Sequence, residues 1–146
     1  MKNTAKYLSY KAAWERISSA IEHGFYLEAV ALCESIISDR LISYVHGVTG
    51  KHVKLETQFN HLIGLWRTNA GVIAWKDHVD LADSVDLWRT KRNMVVHGLV
   101  KSAPRKPTQN VESFIELART SAEQGRELAK AVSAWHKKQL ANVSRG

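Results

Sequence analysis

Cysteine and proline are nearly absent from this 146-residue chain, which has one cysteine, Cys33, and two prolines. A lone cysteine excludes an intramolecular disulfide and any zinc site built on cysteine pairs, so a reducing, cytosolic setting is expected. Long apolar runs are missing too. No stretch of about eighteen residues escapes a charge, and the first residues, "MKNTAKYLSYKAAWERI", lack an apolar signal core, so neither a membrane span nor a signal peptide is expected. Acidic residues are scarce in one place above all. None occurs between Asp86 and Glu112, while Arg89, Lys91, Arg92, Lys101, Arg105 and Lys106 fall in that interval. With a net charge of +7, this favours a polyanionic partner, nucleic acid or an acidic protein surface.

What is present is helical periodicity, broken at glycines and prolines. Helices are expected over roughly Thr4 to His23, Tyr26 to His46, Lys54 to Asn69, Asp80 to His97 and Asn110 to Leu140. Their apolar stripes include Leu55, Phe59, Leu62, Ile63 and Trp66 on the third, and Leu81, Val85, Trp88, Val95 and Leu99 on the fourth. On the fifth, Phe114, Ala118, Ser121, Gly125, Leu128, Val132 and Trp135 form a stripe whose small middle residues would admit a close helix. "VKSAPRKPTQN", with both prolines, is the clear loop. The pattern predicts an all-α fold, one domain over residues 1–146, as an antiparallel up-and-down bundle of about five helices.

The segment "RNMVVHG", residues 92–98, interrupts this regularity. Arg92 occupies a stripe position where an apolar residue is expected, and a charge there is costly to bury unless paired. It either snorkels out, pairs with an acidic neighbour such as Glu34, or serves chemistry. Asn93 and His97 share a helical face, and a long arginine can reach toward His97. Imidazole transfers protons near neutrality, guanidinium neutralises charge growing on a phosphoryl group, and an amide can orient phosphate or ribose.

Arg92, Asn93 and His97 in "RNMVVH" resemble the R-x4-6-H motif of HEPN domains, small all-helical domains of which many are metal-independent endoribonucleases of toxin–antitoxin and antiviral defence systems. With nine arginines and seven histidines, about one chance match to that spacing is expected in this chain, so context must decide. Arg40 and His46 in "RLISYVH" also match. However, Leu41 follows Arg40, whereas the polar Asn93 follows Arg92, and only the Arg92 motif lies within the basic stretch. The resemblance covers Tyr26 to the middle of the fifth helix. It implies a homodimer in which two motif helices meet over an RNA backbone, with His97 as general acid or base, Arg92 stabilising the transition state and Asn93 orienting the phosphate. Arg89, Lys91, Lys101, Arg105 and Lys106 would bind RNA, no metal or nucleotide cofactor is required, and an antitoxin or regulatory protein is a possible partner.

Two readings from other classes compete: a catalytically silent module binding nucleic acid or an acidic protein through the same surface, and a structural dimer with Arg92 held in an internal salt bridge. His46, His52, His61 and His78 lack a two-histidine ligand spacing and read as solvated or capping residues. The tryptophans Trp14, Trp66, Trp88 and Trp135 read as core, with Trp75 the one candidate for base stacking. Cys33 reads as a small core residue. The basic group His136, Lys137 and Lys138 suits the negative end of a helix dipole, or an RNA- or partner-binding role.

Overall fold

The computed structural model describes residues 3–101, 104–106 and 110–145. Among the described residues the chain forms an all-α bundle of five α-helices, α1 (Thr4–Glu22), α2 (Tyr26–Thr49), α3 (Phe59–Ala70), α4 (Leu81–His97) and α5 (Val111–Arg145). Within the expected loop, residues 102, 103 and 107–109 lie outside those described.

Local chemistry sets the ends. The Asn3 side chain accepts a hydrogen bond from the Lys6 amide and starts α1. Gly50 ends α2 at φ 69°, a left-handed conformation that glycine adopts without steric cost, while Gly47 stays inside the helix. At α3 the expectation needs correction. Its start is Phe59 rather than Lys54, because Thr57 closes a turn by bonding the Lys54 carbonyl through both its amide and its hydroxyl. Leu55, placed on the stripe by periodicity, is instead 81 % exposed.

Paired contacts give the directions. Lys6 meets Asp39 and Arg16 meets Glu28, so α1 and α2 are antiparallel. Phe59 packs on Trp88 while Arg67 reaches Asp83, which makes α3 and α4 antiparallel too. Trp88 meets Ser121 and Val95 clusters with Phe114, setting α4 antiparallel to α5. Between α2 and α3, by contrast, the chain turns back: Lys51 and His52 follow the end of α2, yet Val53 and Leu55 share a groove with Lys6 and Asp39. As a result Phe59 lies near Arg92, the partner of Glu34, and Trp66 packs on Trp135, the neighbour of Tyr44. α3 therefore runs in the same direction as α2.

The core gathers Ile17, Val30, Ile37, Leu41, Leu62, Trp66, Leu81, Val85, Trp88, Leu128 and Val132 from all five helices. The expected close approach at α5 is present. A Cβ built on Gly125 would lie 2.6 Å from Cζ2 of Trp88, whose Nε1 donates to the Ser121 carbonyl at 2.8 Å. Trp75 packs against this core as well, with the Lys76 ammonium 5.4 Å from its ring centroid. Among the described residues no helix is long and apolar enough to cross a membrane.

Candidate functional site

α4 carries the motif, and its start is firmly anchored. Asp80 accepts from the Asp83 amide at 3.2 Å and from the Ile73 amide at 2.7 Å, joining the helix N-terminus to the preceding loop. Leu81, Ala82, Val85, Trp88 and Val95 then face the core. That register carries Arg92 toward α2.

There Arg92 Nη2 pairs with Glu34 Oε1 at 2.5 Å, and Nη1 donates to the Asn93 side-chain oxygen at 2.7 Å. Its guanidinium carbon lies 5.9 Å from the Phe59 ring centroid, and Nε is buried with no hydrogen-bond partner among the described residues. The arginine and glutamate side chains are 20 % and 30 % exposed, so this is a half-buried pair rather than a free surface charge. One of the three sequence-level readings of Arg92, pairing with Glu34, thus describes its position.

His97 is the last residue of α4, and Gly98 follows it outside the helix. The imidazole is exposed and makes no hydrogen bond or ion pair among the described residues. Asn93, half-buried one turn earlier, is engaged by Arg92. Arg92 and Asn93 are therefore bonded to each other, while His97 bonds to neither.

The surrounding cations divide into two groups. Arg89 is half-buried and bonded to Asp86 at 2.9 Å, and Lys91 donates to Gln124 at 3.3 Å. Lys101, Arg105 and Lys106 are exposed beyond the helix end and have no ion pair among the described residues, with Arg105 in the left-handed region at φ 65°. Exposed apolar side chains lie close by. Met94 belongs to the last turn of α4, Leu99 and Val100 come just after that helix, and Val111 and Ile115 stand at the start of α5.

Two other histidines are held by local contacts. His23 Nδ1 lies 2.8 Å from the Ser19 carbonyl and His46 Nδ1 lies 2.9 Å from the Lys51 carbonyl. Among the described residues no three histidine, cysteine, aspartate or glutamate side chains are placed to hold a metal ion. Cys33 is fully buried, and burial pushes its thiol up to about 12, far from the reactive range.

A correction concerns the basic group on α5. The helix continues to Arg145, so His136, Lys137 and Lys138 lie more than a turn before its end, outside the reach of the terminal dipole. His136 is instead buried at 4 % exposure, facing Arg40 of α2. Sequence reasoning passed over this cluster, although His136 continues the α5 stripe from Leu128, Ala129 and Val132. Comparison with family models, with curated proteins and with solved structures finds no match for this chain.

Proposed function

We propose that the protein is a metal-independent endoribonuclease of the HEPN type, active as a homodimer whose composite site is built from the ends of two α4 helices. The observation that supports this best is the paired Arg92 and Asn93 on the last turns of α4, followed by an exposed His97 with no partner among the described residues and the exposed cations Lys101, Arg105 and Lys106. An imidazole free of internal partners is available to a substrate. An arginine held on two sides can meet a phosphate with little further loss of side-chain freedom. Met94, Leu99, Val100, Val111 and Ile115 offer the apolar surface that a second copy would cover.

In this reading a ribose 2′-oxygen attacks the adjacent phosphorus, its proton passes to a base, and the bond to the 5′-oxygen breaks to leave a 2′,3′-cyclic phosphate. His97 supplies acid or base, Arg92 meets the charge on the pentacoordinate transition state, and Asn93 holds the phosphate in line. A toxin or phage-defence role belongs to the same proposal.

The test is cleavage of a labelled single-stranded RNA in excess EDTA. Wild type should yield 2′,3′-cyclic ends, and His97→Ala should lose about 10² to 10⁴ in rate. Equal rates for wild type and both His97→Ala and Arg92→Ala would overturn the assignment.

A second reading draws on the Arg92–Glu34 pair itself: a silent helical module in which Arg92 ties α4 to α2 and the exposed cations bind nucleic acid or an acidic protein. Under that reading wild type leaves the RNA intact, while Lys101→Gln and Lys106→Gln weaken binding.

A further inference from the structure

We propose that the cleft between α2 and α5 binds a small phosphate monoester, its phosphate held by Arg40, Ser133, His136 and Lys137 and its apolar body lying against Ala134 and Leu140. The cleft holds about 280 Å³, too small for a folded partner and of the order of a compact phosphorylated metabolite. This site is separate from the α4 motif, since Glu34 turns toward α4 whereas Arg40, further along α2, turns toward α1 and α5.

Unsatisfied polar groups point to a ligand. The Arg40 guanidinium stacks on Tyr10 at 4.1 Å from the ring centroid, its Nε is buried without a hydrogen-bond partner, and no carboxylate lies within ion-pair distance among the described residues. The adjacent Asp39 is already engaged by Lys6 and by the Tyr10 hydroxyl. The Ser133 hydroxyl oxygen is buried and unpartnered as well, although Ser9, Ser35, Thr68 and Ser84 all bond to the carbonyl four residues back in the chain. His136, at 4 % exposure, lines the same cleft. Buried donors of this kind are rarely left unsatisfied.

Charge selects an anion. Arg40 of α2 and Lys137 of α5 line the cleft with no acidic residue among the described residues of its wall, and the charges acting on His136 are Arg40, Asp39 and Lys6, of which the last two pair with each other. Guanidinium, hydroxyl, imidazole and ammonium donors approaching from two helices match the several oxygens of a tetrahedral phosphate better than the two of a carboxylate. Because burial and Arg40 hold the His136 imidazole below its ordinary value, a bound anion should raise it, giving a readout at the site itself.

The experiment is a titration of the full chain with phenyl phosphate, following the His136 ring by NMR across pH, for wild type, Arg40→Gln and Lys137→Gln. Expected are a saturable shift of the His136 resonances, a raised titration midpoint, and at least about tenfold weaker binding in each folded variant. Lys137 is exposed, so its variant decides the matter if Arg40→Gln does not fold. Absence of a saturable shift, or equal affinity for wild type and Lys137→Gln, would overturn the site. Inorganic phosphate binding as tightly as the ester would overturn the role given to the apolar wall.

Discussion

At the scale of single residues, Gly125, Cys33 and the Arg92–Glu34 pair lead to definite expectations. Gly125→Ala places a methyl group against the Trp88 ring, and that ring is pinned by its bond to the Ser121 carbonyl. Overpacking of about 1–3 kcal/mol should exceed the helix-propensity gain of about 1 kcal/mol, giving a lower urea midpoint. Cys33, with its thiol raised by burial, should resist iodoacetamide at pH 8 in the folded protein and react at once in denaturant. Mass spectrometry of labelled protein would show both rates. For Arg92 and Glu34, a double-mutant cycle in thermal unfolding should give a coupling of about 0.5–3 kcal/mol, since each side chain is at least partly withdrawn from water. If the protein is the ribonuclease proposed above, Glu34→Gln should slow cleavage by less than Arg92→Gln, because the carboxylate only positions the guanidinium.

At the scale of elements, α4 determines what the motif can reach. Its register is locked at one end by Asp80, which serves both as cap and as the acceptor for the Ile73 amide, and in the middle by Trp88. Asp80→Ala removes both bonds and should cost about 1–2 kcal/mol, measurable as a drop in Tm. The helix itself, its capping aspartate, its stripe from Leu81 to Val95 and its end at His97 were legible from period and composition, whereas Leu99, expected on the same stripe, is exposed beyond the helix end. The start of α3 was not. Leu55 fits the apolar period, but the Lys54–Thr57 turn satisfies backbone groups locally and the chain is then free to run back along α2. Periodicity records which residues could face a core and carries no information on a competing turn.

Across the whole molecule, charge and protonation give two further expectations. The His136 imidazole is held below its ordinary value of 6.5 by burial first and by Arg40 second. The unfolded chain therefore binds the proton more readily, so this residue lowers stability as pH falls below about 6.5, until the folded value is passed. Thermal unfolding between pH 7 and 5 should show a smaller loss of Tm in His136→Gln than in wild type. Exposed Lys101, Arg105 and Lys106 add to a net charge of +7, so under the proposed function any RNA affinity should fall with added salt, and the slope should shrink as these cations are replaced.

The sequence by itself determined the helical class, four of the five helix starts to within a residue or so, the tight contact at Gly125, the core role of most tryptophans and the candidacy of Arg92, Asn93 and His97. These depend on local periods, caps and residue chemistry, which act over a few residues. Only the tertiary structure decided that Arg92 meets Glu34 rather than bonding to His97, that α3 follows the direction of α2, and that His136 is buried beside Arg40. Each of these depends on which faces of distant helices meet. That choice is made by burying one continuous core, and several helix arrangements present the same stripes until packing selects among them.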